Sequence, residues 1–284
     1  MAIDLVVLDF DGTFTDSEVE GAPFAAIFPI YLREAANADE QLHALWPAAM
    51  AAVTRESPEL GWMMNGVAAA PADADPYVRC SMAAHKVLDQ LGLYLDGADR
   101  SGLLQQVYKR AYAESVISFR PGAAEALQAV LDRGVPVVVV TNSSTSHVRF
   151  KVDQLGLRDA ASVEVIGDAM KFWVDPAPQG AAEFDGLPER RFISGLQRPV
   201  YLHRNKYYET LRKLWAKHGA SAATTLVCGD IFELDLALPA ALGSKVVLMR
   251  RANTYSFELQ AVAEAGARGA ITDDLAILAS LLDG

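Results

Sequence analysis

Ile3-Asp-Leu-Val-Val-Leu-Asp9-Phe-Asp11-Gly12-Thr13-Phe-Thr-Asp16 begins as an apolar run and breaks off at two carboxylates and a glycine. A near-continuous apolar run of this length suits a strand buried on both faces, as in a parallel sheet. Val135-Pro-Val-Val-Val-Val-Thr141, Val163-Glu-Val-Ile166, Thr225-Leu-Val-Cys-Gly-Asp230 and Val246-Val-Leu-Met249 repeat the texture. Helical patterns lie between them. After Pro121-Gly122, the residues Ala126, Leu127, Val130 and Leu131 share one face, and Gly134 closes the segment. Proline near a helix start and glycine past its end are the expected punctuation. Strand-helix alternation from about 120 to 249 predicts right-handed βαβ units in an α/β fold, a doubly wound parallel sheet.

The stretch from about Ser17 to Ser118 has another texture, without a convincing strand. Phe24, Ile27, Phe28, Tyr31, Leu32 and Ala35 recur at helical spacing, with Pro29 read as a late helix start. Leu42, Leu45, Trp46, Ala49, Met50 and Val53 repeat the pattern, as do Leu104, Val107, Tyr108 and Ala111, while Ala68 to Pro76 reads as a loop. The expected division is a catalytic core of residues 1–17 and 118–284 and a helical cap of 18–117, packed over the carboxyl ends of the strands. Breakers from Pro176 to Pro199 predict an elaborated loop or small hairpins between Asp168 and Arg204.

The 284 residues include 25 basic and 36 acidic ones, a formal net charge of -11. No basic stripe is present to neutralise phosphates, which argues against nucleic acid as a partner. An anionic substrate stays open, since a bound cation reverses the local field. Cys80 and Cys228 lack zinc or disulfide spacing, and the five histidines form no ligand pattern. Without a basic leader or a long apolar run, the expectation is a soluble, cytoplasmic protein with no membrane partner.

Four signals carry chemistry. Asp9-Phe-Asp11-Gly12 reads either as a hairpin turn or as two carboxylates at the carboxyl end of a buried strand, where open α/β sheets bind ligands. Thr141-Asn142 ends the four-valine strand and either caps the next segment or donates to an oxyanion. Gly229-Asp230-Ile-Phe-Glu233-Leu-Asp235 supplies the hard oxygen ligands that magnesium takes, or is an ordinary strand-to-helix transition. Lys206 heads the helical stretch Tyr207–His218, where a lone lysine is normally solvated. Cys228 reads as packed core.

In this order, Asp-x-Asp-Gly-Thr, strand-Thr, Lys and Gly-Asp-x4-Asp closely resemble the haloacid dehalogenase (HAD) superfamily, which is mostly phosphatases. Arg120-Pro-Gly-Ala-Ala-Glu-Ala-Leu and the Asp16-Ser17 entry into a helical cap fit that resemblance. It implies an Mg2+-dependent phosphatase acting on a small phosphorylated substrate. Asp9 would be the nucleophile that becomes an aspartyl-phosphate, and Asp11 the proton donor and later base. Gly12, Thr141, Asn142 and Lys206 would bind the phosphate. Asp9, the Asp11 backbone carbonyl, Asp230 and Asp235 would hold the metal, with Glu233 a neighbouring candidate.

Dehalogenating members generally lack the second aspartate, so Asp11 argues against that activity. A phosphomutase of the same superfamily and a catalytically idle scaffold are the alternatives. Three features depart from the family pattern. Tyr207 follows Lys206 where the family often has proline, leaving Lys171 as the second choice. The long 168–204 segment is expected to form a substrate-facing flap. Pro239 predicts a short or kinked helix after Asp235. Neither the substrate's identity nor the oligomeric state is legible.

Overall fold

The computed structural model describes residues 2–283, apart from the side chain of Asp39. In chain order, β1 (Leu5–Leu8) leads to α1 (Ser17–Ala36) and α2 (Asp39–Glu56), followed by β2 (Gly61–Met64) and β3 (Val67–Pro71). Next come α3 (Pro76–Leu91), α4 (Gly97–Tyr112), α5 (Ala123–Leu131), β4 (Val137–Val140), α6 (Thr145–Gln154) and β5 (Glu164–Ile166). The short elements α7 (Ala182–Asp185), β6 (Arg190–Arg191) and β7 (Val200–Tyr201) precede α8 (Asn205–His218) and β8 (Thr225–Gly229). The chain ends through α9 (Ala237–Leu242), β9 (Lys245–Met249), α10 (Ser256–Ala263), β10 (Gly269–Thr272) and α11 (Ile277–Ser280).

The main sheet has the order β10-β9-β8-β1-β4-β5, and its strands pair in parallel. Alternate strand residues point to opposite faces. Leu5, Val7, Val138, Val140, Val227 and Leu248 enter one core. Val6, Leu8, Val137, Val139, Cys228 and Met249 enter the other. The strands are continuously apolar because both faces are covered, and Cys228 is packed core as its setting suggested. Chain order reverses around β1: the path runs outward through β4 to β5, then returns to β8 on the other side. Asp9, Thr141 and Asp230 stand immediately beyond β1, β4 and β8, at that switch point.

Two compact units emerge. One comprises the residues up to Thr15, Met63–Ala70, and Phe119 onward; the other comprises Asp16–Trp62 and Pro71–Ser118. In the second unit, Phe24, Phe28, Leu32, Leu42, Val53, Val87, Leu88 and Val107 form a separate core. Asp16 caps α1 by accepting from the Val19 backbone at 3.2 Å. The helix then runs unbroken through Pro23 and Pro29, so Pro29 is not a helix start. Burial of Phe24, Phe28 and Leu32, worth roughly 1.5–3 kcal/mol each, offsets the roughly 3 kcal/mol that each interior proline costs.

The expectation of no strand between 17 and 118 also needs correction. β2 and β3 pair across Asn65-Gly66, both at positive φ (50° and 79°), the conformation that a two-residue hairpin requires. Asn65 Nδ2 donates to the Val174 carbonyl at 3.1 Å, inside the sheet-bearing unit. Among the described residues, no helix is long and apolar enough to cross a membrane.

Candidate active site

The turn after β1 is drawn tight. Gly12 has φ 86°, and a Cβ there would stand 2.4 Å from Asp230 Oδ2. Only glycine lets the turn pass this close to the carboxylate beyond β8. Gly12 N–H donates to Thr15 Oγ1 at 3.1 Å, and its carbonyl accepts from Arg120 Nε and Nη2 at 3.0 and 2.7 Å. The backbone groups of this proposed phosphate binder are thus already engaged, the N–H within the turn and the carbonyl by Arg120. Gly229 has a similar cause, since a Cβ there would meet Asp235 Cβ at 2.3 Å.

Three buried carboxylates converge. Asp9, Asp230 and Asp235 each offer an oxygen, and the three atoms lie within 4.8 Å of one another. Lys171 Nζ donates to Asp9 Oδ1 and Asp235 Oδ1, both at 2.6 Å. Thr13 Oγ1 donates to Asp9 Oδ2 at 3.0 Å and stands 3.4 Å from Asp230 Oδ1. Asp235 Oδ2 accepts from the Ile231 backbone at 2.9 Å, and Arg251 Nη1 approaches Asp230 Oδ2 at 3.7 Å.

Burial pushes the Asp9 carboxyl up to about 7 against the pull of Lys171, and Asp235 adds to the rise. Burial also lifts Asp230 well above the usual carboxylate range, although Arg251 opposes it. Burial works against the Lys171 ammonium too, but Asp235 and Asp9 hold its pKa above the ordinary lysine value. Negative charge therefore stays under-compensated at Asp9 and Asp230. An all-oxygen donor set with charge to spare suits a hard divalent cation such as Mg2+.

Lys206 is exposed on the first turn of α8, whereas Lys171 is 1% exposed and bonded to Asp9. Lys206 therefore stands apart from these carboxylates, and the lysine that the fold brings to Asp9 and Asp235 is Lys171, the second choice from the sequence. The physical reason lies in how the chain beyond β5 is sewn to the loop beyond β4. Ala169 N donates to the Thr141 carbonyl at 3.0 Å and Asp168 N to the Ser143 carbonyl at 2.8 Å. Lys171 N donates to Asn142 Oδ1 at 2.8 Å. Asp168 and Met170 take positive φ (50° and 48°) to make this path, a cost borne where the surroundings over-determine the backbone. Asn142 thus positions Lys171. Thr141, 2% exposed, stands at the strand end and accepts from Ser143 N at 3.1 Å.

The 168–204 segment is not a free flap. Phe184, Ile193, Leu196, Val200 and Leu202 are buried in the core on one sheet face. Arg198 grips buried Glu233 with two bonds of 2.9 and 2.6 Å, which removes Glu233 from the carboxylate cluster. Arg204, fully buried, donates to the carbonyls of Lys171 (2.9 Å), Ala69 (2.7 Å) and Tyr201 (3.1 Å). The segment is a strut that delivers Lys171. Past Asp230, a π-helical turn over Phe232–Leu236 aims Asp235 back at the site, and α9 spans only Ala237–Leu242 around Pro239. The short helix matches the reading from Pro239.

Asp11 points elsewhere. Its Oδ2 accepts from Ser143 Oγ and its Oδ1 from Lys151 Nζ, each at 2.6 Å. Sequence reading passed over Lys151, Ser143 and Thr13. For Lys151 a signal existed: it lies three residues after Val148 and next to Val152, on the apolar face of α6.

A model of the haloacid dehalogenase-like hydrolase family matches residues 3–184, more than half of the chain. The chain belongs to that family and is a hydrolase of the HAD type. No curated protein matches the sequence. Among solved structures, a predicted phosphoglycolate phosphatase from Haemophilus somnus 129PT is similar at TM-score 0.57 and 16% identity, over 98% of this chain and 97% of that one. A putative HAD hydrolase from Bacillus subtilis, bound to magnesium, gives TM-score 0.52 and 17% identity over 100% of both chains. A putative β-phosphoglucomutase from Thermotoga maritima gives 0.51 and 14% over 99% of both. At such identities the likeness is one of fold.

Proposed function

We propose that this hydrolase is an Mg2+-dependent phosphatase that forms an aspartyl-phosphate on Asp9. The observation that carries the reading is Lys171 bridging Asp9 and Asp235 beside Asp230, with the three carboxylates just beyond the neighbouring parallel strands β1 and β8. Asp9, Asp230, Asp235 and the Asp11 carbonyl would hold the cation. When bound, Mg2+ offsets the charge of a phosphate dianion brought up to carboxylates.

This chain's own groups do the rest. An Asp9 oxygen attacks phosphorus, the bond from phosphorus to the leaving oxygen breaks, and Asp11 gives that oxygen its proton. Asp11 then takes a proton from water as the water oxygen attacks phosphorus. The Asp9–phosphorus bond breaks, freeing inorganic phosphate and restoring both carboxyl groups. Lys171 holds Asp9 in place and faces the charge gathered around it, while Thr141 and Asn142 line the strand end where phosphoryl oxygens would sit. The presence of Asp11 favours phosphate over haloacid chemistry, because a proton carrier is what an alkoxide leaving group needs. The -11 charge and the lack of a basic stripe favour a small substrate over nucleic acid.

Phosphate release from 4-nitrophenyl phosphate tests the reading. Turnover should require Mg2+ and vanish in Asp9→Asn. Equal turnover in chelator, or an active Asp9→Asn, would refute it.

A further inference from the structure

We infer that Lys151 is a positioning residue that, together with Ser143, aims the Asp11 carboxylate; the inference rests on the proposed role of Asp11 as proton carrier. Lys151 is 4% exposed and sits on the inward face of α6 between Val148 and Val152, which are wholly buried. Residues three and four apart share a helix face, so this position belongs to a packed apolar stripe. An aliphatic side chain there would pack without desolvating an ammonium, and buried ion pairs commonly stabilise less than apolar replacements of similar volume. Stability therefore gives no reason for a lysine at this point.

Geometry gives one. Lys151 Nζ takes Asp11 Oδ1 and Ser143 Oγ takes Oδ2, each at 2.6 Å. One donor on each oxygen fixes the plane of the carboxylate as well as its place. The two donors come from one continuous segment, the loop after β4 and the first turns of α6, which also carries Thr141 and Asn142. Asp11 keeps a side-chain exposure of 24%, so the aimed group still has an open edge. Lys171 serves the nucleophile and Lys151 serves its neighbour: the site contains two buried lysines with separate clients. A proton carrier displaced by about 1 Å loses much of its effect, and the loss should scale with how badly the leaving group needs a proton.

The test compares phenyl phosphate, which has a basic leaving group, with 4-nitrophenyl phosphate, whose leaving group departs unaided. Lys151→Met should lower the single-turnover rate of phenol release from phenyl phosphate by about tenfold or more, within the range of general acid-base effects; this first step, unlike kcat, excludes hydrolysis of the shared acyl phosphate, which Asp11 also serves. It should change the single-turnover rate of 4-nitrophenol release from 4-nitrophenyl phosphate by no more than about threefold. Lys151→Arg, which keeps a donor and its charge, should recover part of the phenyl phosphate loss. Ser143→Ala, which leaves the ion pair and so the fold intact, should give the same leaving-group bias in weaker form.

Equal losses on both substrates, or a bias absent from both Lys151→Met and Ser143→Ala, would overturn the inference. Asp11→Asn separates the two levels of the argument. If Asp11→Asn has the bias and the other two variants lack it, only the positioning role fails. If Asp11→Asn lacks it, the proton-carrier reading fails as well.

Discussion

Lys171 places one ammonium 2.6 Å from two buried carboxylates, so its removal should harm chemistry and stability together. Lys171→Ala should lower turnover about 100- to 1,000-fold, as loss of a charge-stabilising donor typically does. It should also lower the melting temperature, because Asp9 and Asp235 would face each other without their shared partner. Lys206→Ala, on an exposed turn, should leave turnover within about twofold; steady-state kinetics on both variants checks the pair. Gly12→Ala is the steric counterpart. A methyl group 2.4 Å from Asp230 Oδ2 on a backbone at φ 86° must push the turn or the carboxylate aside. The expected cost is about 1–3 kcal/mol, with a clear loss of Mg2+ affinity by calorimetry. At this level the sequence was readable where a residue follows a strand directly: Asp9, Thr141 and Asp230 stand where the apolar runs end. Lys171 was harder to read, because its place depends on bonds from the Thr141–Ser143 loop, a neighbour in space that spacing along the chain does not reveal.

The strut from 168 to 204 and the turn after β8 hold each other through Arg198 and Glu233, and Glu233 is wholly buried. Arg198→Ala should therefore destabilise the fold by about 3–5 kcal/mol. Arg198→Met combined with Glu233→Leu should recover most of the loss, as read in denaturant melts. If the single variant is as stable as the parent, the pair does not brace the turn. In α3, burial lowers the His85 pKa, with Arg100 reinforcing the effect. A histidine depressed on folding takes up protons more readily when unfolded, so its share of stability is lost as pH falls through its unfolded value of about 6.5. His85→Leu should flatten the acid-side decline in melting temperature. The buried strands were legible from their unbroken valines and leucines. The β2–β3 hairpin was missed because alanine-rich Val67–Pro71 lacks strand character, although Asn65-Gly66 is a strong turn signal. The strut was misread as a flap because its buried residues are scattered among breakers with no period to follow.

The two textures of the chain, periodic helices and short apolar runs, suggested a division at 18–117, and the compact units have other bounds. The assignment of Met63–Ala70 to the sheet-bearing unit lay beyond that reading. It depends on Arg204 reaching the Ala69 carbonyl and Asn65 reaching that of Val174, bonds between segments more than a hundred residues apart. The order of motifs along the chain survives the elaborations between them, because each motif is anchored to its own strand end. The proposed chemistry depends on Asp9 as nucleophile. Asp11→Asn should still let Asp9 attack 4-nitrophenyl phosphate while slowing hydrolysis of the resulting acyl phosphate, so the intermediate should accumulate. Rapid-quench mass spectrometry of that variant should find one phosphoryl group on the peptide containing Asp9. A phosphoryl group on a serine or histidine, or no modified peptide during turnover, would contradict the account.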